Sequence, residues 1–223
     1  MHVVLFDIDG TLVKSGGAGK AAMEAALASA FALPADTVDV PFSGRTDRSI
    51  GGDLFRHYGI EPTLANWDRF LHDYLAHLPG CLARHTGHVL PGIAALIAGL
   101  SARADVLLGL LTGNIREGAR LKLTHFGLFH FFQCGGFGDG HLERDDVARA
   151  ALADVRRHHP AVDPARVLVV GDTPLDVQCA RAIGARVAAV ATGWHSLDEL
   201  AATGPDLALP DLADPTPLLA MIQ

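Results

Sequence analysis

Three short stretches carry the chemistry this sequence offers. Asp7 and Asp9 stand two residues apart at the end of an apolar run, His2 to Phe6, with Gly10 and Thr11 after them. Thr112, Gly113 and Asn114 end a second run, Val106 to Leu111, and Asp172 and Asp176 follow a third, Arg166 to Val170. Two carboxylates so close together repel unless a cation or hydrogen-bond donors hold them. Taken singly, each stretch also has a local explanation. The first reads as an Asp-Gly turn, Thr112 as a helix cap, and the last pair as acids complementing a helix dipole. Taken together, several acids and a hydroxyl suit a hard cation beside a phosphoryl group. Oxygen ligands of this kind suit magnesium. No His/Cys cluster with metal spacing offers a softer site.

For these residues to meet, the runs that carry them must lie side by side. Each run is of strand length and breaks abruptly into a polar loop, the pattern of a buried strand. Between and after them lie helix-forming segments, at Pro91-Gly92 to about Ala102, Arg116 to Phe126, Asp145 to His158, and from Asp176 to Ile183. Phe131 to Cys134 reads as a short strand followed by a loop, Gly135 to Gly140. Arg186 to Ala191 and Leu207 to Leu209 read as the last strands. Strands alternating with helices imply βαβ units and a parallel sheet. The carboxyl ends of its strands share one edge, where ligands bind in open α/β folds.

Residues 15 to about 88 break this rhythm. Ala18 to Leu33 is a strong helix former stopped by Pro34. A helix from Asp47 to Tyr58 is capped by Thr46 or Asp47 and stopped by Gly59. A third runs from Thr63 to Leu78 until Pro79-Gly80 breaks it, with a short helical piece at Cys81 to His85. The segment reads as an all-helical insert. Gly16-Gly17-Ala18-Gly19 reads as a flexible hinge at its start. Gly19-Lys20 is no phosphate loop, because Lys14 and Ala21 stand where that motif needs Gly and Ser or Thr.

Composition bounds the rest. Of 223 residues, 49% are apolar, enough for a sizeable core. The net charge of -7, without a long basic run, argues against a nucleic-acid partner. Cys81, Cys134 and Cys179 are too widely spaced for a disulfide framework and suggest a reducing compartment. There is no secretory pattern and no apolar stretch long enough to span a bilayer, so a soluble cytoplasmic protein is expected, as monomer or homodimer.

The motifs DIDGT (7–11), LLTGN (110–114) and GDTPLD (171–176), in this order at strand ends, resemble the haloacid dehalogenase superfamily. Within it, the chain is similar to phosphatases of the phosphoglycolate phosphatase type. The resemblance implies a Rossmann-like three-layer α/β/α core (residues 1–14 and 89–223) with a helical cap (15–88). It implies a magnesium-dependent phosphomonoesterase acting on a small phosphorylated metabolite. Asp7 would be the nucleophile that becomes aspartyl phosphate, and Asp9 the general acid and base. Thr112, Gly113 and Asn114 would hold phosphoryl oxygens. Asp7, Asp172 and the carbonyl of Asp9 would hold the ion, with Asp176 supporting them. The third motif departs from the usual Lys-Pro. Arg144 takes the cation's place in the resemblance, with Lys122, on what reads as an exposed helix flank, as the alternative. Gly44-Arg45-Thr46-Asp47 matches a cap loop that faces the site, making Arg45 a candidate substrate contact or else a solvent-facing side chain. A sugar phosphomutase of the same fold and a non-catalytic phosphometabolite sensor are the rival readings.

Overall fold

The computed structural model describes residues 1–33 and 40–222. In chain order the elements are β1 (His2–Phe6), β2 (Val13–Lys14), α1 (Ala18–Phe31), α2 (Asp47–His57), α3 (Leu64–Arg84), β3 (His88–Val89), α4 (Ile93–Ser101), β4 (Val106–Leu111), α5 (Arg116–His125), β5 (Cys134–Gly136), α6 (Arg144–His158), β6 (Val167–Gly171), α7 (Pro174–Ala182), β7 (Arg186–Val190), α8 (Leu197–Ala202), β8 (Leu207–Leu209) and α9 (Thr216–Ala220). Pro34, read as the stop for the first helix, lies outside the described residues.

Six strands form one parallel sheet in the order β5-β4-β1-β6-β7-β8. The chain runs outward from β1 through β4 to β5. It then returns to β6 on the other side of β1 and runs outward again through β7 to β8. The reversal beside β1 is the topological switch point at which such sheets bind ligands. Register completes the arrangement. Phe6 is level with Leu110 of β4 and Val170 of β6, so Asp7, Thr112 and Asp172 leave the sheet within a residue or two of one another.

Alternation along the strands feeds two cores. Val4, Phe6, Leu108, Leu110, Leu168 and Val170 pack with α4, α5 and α9 on one face. Val3, Leu5, Leu107, Leu111, Val167 and Val169 pack with α6, α7 and α8 on the other. The result is three layers, α/β/α. Helices α1, α2 and α3 bury a separate apolar cluster among Met23, Leu27, Ile50, Phe55, Phe70, Tyr74 and Leu78, which also takes in Ile115. Cys81, Cys134 and Cys179 are free and buried. Among the described residues no helix is long and apolar enough to cross a membrane.

The structure departs from the sequence reading in four places. The break at Pro79 does not occur, since α3 runs through it to Arg84. Its buried stripe, Trp67, Phe70, Tyr74, Leu78, Cys81 and Leu82, continues at helical spacing, and Pro79 itself faces solvent, so its ring and missing N–H do not disturb the packed face. The strand expected at Phe131 to Cys134 begins only at Cys134. Phe129, Phe131 and Phe132 instead turn onto the core, and Cys134-Gly135-Gly136 pairs with β4, where Gly109 leaves room for the Cys134 thiol. The insert is not wholly helical at its base. β2 and β3 pair antiparallel, Val13 with Val89 and Lys14 with His88, as a two-stranded ribbon at the point where the chain leaves and re-enters the sheet. The hinge is shorter than read, because Ala18 and Gly19 already belong to α1, leaving Gly16 and Gly17 with positive φ.

Proline in a helix interior costs about 3 kcal/mol relative to alanine, partly offset by a stiffer unfolded chain. Pro79→Ala is therefore expected to stabilise the protein by ~1–3 kcal/mol in urea unfolding. A loss of stability would mean that the packing of α3 depends on the proline itself.

Candidate active site

The carboxyl edge of β1, β4 and β6 gathers every core residue singled out from sequence. Asp7 is buried at the end of β1, its backbone N–H bonded to the Val170 carbonyl of β6 at 2.9 Å. One carboxylate oxygen from each of Asp7, Asp172 and Asp176 lies within 4.8 Å of the others. Thr11 Oγ1 donates to Asp172 Oδ1 at 2.8 Å. Asp176 is satisfied locally. Its Oδ2 accepts from Thr173 N (3.0 Å) and Thr173 Oγ1 (2.8 Å) in a capping box, and its Oδ1 accepts from Arg144 Nη2.

Arg144 opens α6 and is only 4% exposed. Its guanidinium lies under the acids, with Nη1 3.5 Å from Asp7 Oδ1 and Nη2 bonded to Asp176 and to the Leu111 carbonyl (3.3 Å). Among the described residues its buried Nε–H has no partner. The acidic first turn of α6 and the apolar face Val147, Ala148 and Ala151 fix the helix so that its first residue points into the site.

Lys122 corrects the sequence reading. It is no exposed flank; the side chain is buried, with Nζ 2.6 Å from Asp9 Oδ2 and 2.6 Å from Asn114 Oδ1. The signal was present in the spacing, because Gly118, Ala119, Lys122 and Leu123 share the buried face of α5. Asn114 is likewise held inside the site, with Nδ2 donating to Asp9 Oδ2 (2.9 Å) and Thr112 Oγ1 (2.9 Å). Thr112 is fully buried beside Asp7 and is not the N-cap of α5, a position taken by Ile115. Ser15 Oγ completes the surroundings of Asp9 by donating to Oδ1 at 3.2 Å.

The loop before α2 docks on this edge. Asp47, not singled out as a site residue from sequence, is buried. Its Oδ2 accepts from Ile115 N at 2.9 Å, and its own N–H donates to the Gly113 carbonyl at 2.7 Å. Thr46 caps α2 and donates to the Leu142 carbonyl at 3.2 Å. Gly113 is a place where only glycine fits, since a Cβ there would collide with the Arg45 carbonyl. The Arg45 side chain bonds Asp53 Oδ2 (2.7 Å) and the Pro41 carbonyl (3.1 Å). With Ser49, Leu142, Leu175 and Arg144 it lines a cavity of about 240 Å³.

Electrostatics divide the acids. Burial pushes Asp7 up to about 6 despite Arg144. Burial also raises Asp172 well above the carboxylate range, and Asp176 and Asp7 add to the effect. Asp9 goes the other way: burial works against its charge, but Lys122, Asn114 and Ser15 hold it below the usual value. Asp47 is pushed up to about 6 by burial, with Lys122 opposing. Asp7, Asp9, Asp172 and Asp176 face two cations, Lys122 and Arg144, so fully ionised they carry two negative charges in excess. That excess, on hard oxygen donors, matches the charge and ligand preference of one divalent ion such as magnesium.

Known proteins resemble the chain along most of its length. The family model of the haloacid dehalogenase-like hydrolases matches residues 4–181. A phosphoglycolate phosphatase of Synechococcus elongatus is 30% identical over 218 residues, covering 96% of this chain and 95% of that protein. One from Rhodospirillum rubrum is 32% identical over 202 residues, covering 86% and 80%. In structure, CbbY from Rhodobacter sphaeroides, solved with phosphate, superposes with a TM-score of 0.72 at 22% identity, covering 96% of each chain.

The raised Asp7 gives a stability prediction. The folded state holds this proton more tightly than the unfolded chain, so ionisation between pH ~4 and ~6 costs stability, and the penalty is complete above that window. With chelator present, Asp7→Asn is expected to be more stable than wild type at pH 8 by ~1–3 kcal/mol. The two should converge near pH 4. Equal stability at pH 8 would mean that Arg144 already neutralises the cluster.

Proposed function

The chain belongs to the haloacid dehalogenase-like hydrolases, and from that membership we propose a magnesium-dependent phosphatase that hydrolyses a small phosphomonoester through an aspartyl phosphate. The observation that carries the reading is the Asp7–Asp172–Asp176 cluster with its uncompensated charge, next to an Asp9 held in a separate environment. Asp7 sits with two further acids on a set of hard oxygen donors, whereas Asp9 is held apart by Lys122, Asn114 and Ser15, and that separation in space suits one carboxylate as nucleophile and another as proton carrier.

Asp7 and Asp172, with the Asp9 backbone carbonyl, would hold the ion, and Asp176 would support them by fixing Arg144 and the start of α7. Magnesium when bound supplies the positive charge that lets a carboxylate approach a phosphoryl group. In the first step an Asp7 oxygen forms a bond to phosphorus, the ester P–O bond breaks, and Asp9 gives its proton to the leaving oxygen. In the second, Asp9 takes a proton from water as the water oxygen bonds to phosphorus and the bond to Asp7 breaks. Thr112, Gly113 and the Arg144 guanidinium would face the phosphoryl oxygens, Arg144 through a rigid, permanently charged fork. The arrangement of Asn114 suits a holder of Asp9 and Thr112 more than a phosphate ligand.

Residues 15–88 would act as the cap, and residues 1–14 and 89–223 as the core. Arg45 would recognise the leaving group. The cavity that it lines with Arg144 and Glu143 gives a leaving group room beside it, and an anionic group there would compete with Asp53 for the Arg45 guanidinium. The curated relatives named phosphoglycolate phosphatases make 2-phosphoglycolate the first substrate to test.

The protein is expected to release phosphate from 2-phosphoglycolate with magnesium, to stop on chelation, and to recover poorly with calcium, whose larger and looser shell disturbs the geometry. Full turnover without divalent ions would overturn the reading. Arg45→Ala is expected to lower kcat/KM for 2-phosphoglycolate by ~1.5–3 kcal/mol, the range for a charged hydrogen bond, and to leave an aryl phosphate nearly untouched. Equal losses on both would give Arg45 a role in supporting the cap through Asp53.

A further inference from the structure

Lys122 is a charge that the mechanism above does not use, and its surroundings are specific. The ammonium reaches Asp9 Oδ2 and Asn114 Oδ1 at 2.6 Å each, and Asn114 Nδ2 donates to the same Asp9 oxygen at 2.9 Å. Oδ2 of Asp9 thus accepts two N–H donors. Oδ1 meets the Ser15 hydroxyl at 3.2 Å, a group that can turn to donate or to accept. The insert completes the cradle from above. A Cβ on Gly19 in α1 would stand 3.2 Å from the ammonium, so bare glycine leaves it room. Asp47 of α2 adds a carboxylate whose field favours the charged lysine, as do Asp9 and Asp7. Burying an ammonium is costly unless it is paired and hydrogen-bonded, and here the partners are Asp9 and the asparagine that also holds Asp9.

We propose that Lys122 is a positioning residue for proton transfer: it clamps Asp9 by Oδ2, leaving Oδ1 as the atom that carries the proton. Resting on the phosphatase reading, this assigns the moving proton to one atom. As the bond from Asp7 to phosphorus forms and the ester bond breaks, the Oδ1–H bond breaks and its proton goes to the leaving alkoxide. In the second step Oδ1 takes a proton from the attacking water. Lys122 keeps its own protons throughout. It acts through Asp9 and not on the phosphoryl group, which separates its role from that of Arg144.

The test uses two esters in single turnover with magnesium, 2-phosphoglycolate and 2,4-dinitrophenyl phosphate, following release of the leaving group. The alkoxide of the first needs a proton to depart; the dinitrophenolate does not. Lys122→Met keeps the bulk and removes the charge. It is expected to slow the first ester by ~10²–10⁴-fold, the usual range for general acid catalysis, and the second by less than ~10-fold. In an Asp9→Asn background it should add nothing on the first ester, because the two act as a unit. Lys122→Arg, which keeps a buried cation, should recover part of the ester selectivity. Should Lys122→Met fail to fold, Asn114→Ala removes the second donor to Oδ2 and is expected to show the same selectivity at smaller size. Equal slowing of both esters, or losses that add to those of Asp9→Asn, would overturn the proposal and make Lys122 a phosphate ligand or a structural cation. A wild type that cleaves neither ester would instead overturn the phosphatase reading beneath it.

Discussion

Negative charge concentrated at one sheet edge is the constraint on which the rest of this structure depends. Asp7, Asp9, Asp172 and Asp176 are brought together by a parallel sheet that reverses direction beside β1. Two buried cations and a set of hydroxyl and backbone donors neutralise only part of the charge. The surroundings are cut to fit the acids. A Cβ on Gly10 or Gly193 would collide with the Asp172 carboxylate, and a Cβ on Gly171 would collide with Asp176. Glycine stands at these three positions because the carboxylates occupy the space a side chain would need. Such a cluster is expensive on its own, and a divalent ion held by it would offset that cost.

The same edge explains why the helical insert is tied to the core so closely. Loop residues 44–47 lie across the TGN turn. The Asp47 carboxylate takes the free N–H of Ile115 near the start of α5, and the Gly113 carbonyl takes the N–H of Asp47. Gly138 lets the next loop approach the Gly113 carbonyl beside Thr46. The insert therefore touches, through backbone contacts, the turn that carries Thr112 and Asn114. Gly16 and Gly17, with positive φ, lie where the chain leaves the core for the insert, so a change there would be felt at the site through these bonds.

Much of this was legible in the sequence because strand and turn signals are local. The three long apolar runs, each ending in a motif, gave β1, β4 and β6 to within a residue, and the order of the motifs was enough to identify the family. What escaped was decided by tertiary contacts. Helix α3 continues through Pro79 because a buried aromatic stripe on the opposite face outweighs one lost hydrogen bond. The β2–β3 ribbon joins residues more than seventy apart and carries only two residues per strand, too few for a periodic signal. β5 is rich in glycine, which reads as loop until Gly109 and Cys134 are seen packed together. Lys122 was misread because lysine is almost always exposed; the spacing with Gly118, Ala119 and Leu123 pointed to a buried position, and the fold adds that Asp9 and Asn114 are its partners. The sequence left Thr46 or Asp47 as the cap of α2; the capping oxygen is that of Thr46, which frees the Asp47 carboxylate to reach the core.

The account turns on Asp7 as the atom donor to phosphorus. The direct measurement is to quench the protein during turnover of a radiolabelled phosphomonoester with magnesium and to map the label by proteolysis and mass spectrometry. The account predicts a hydroxylamine-labile acyl phosphate on the peptide that contains Asp7, absent in Asp7→Asn. A label on a serine, threonine or histidine, or undiminished turnover in Asp7→Asn, would contradict it.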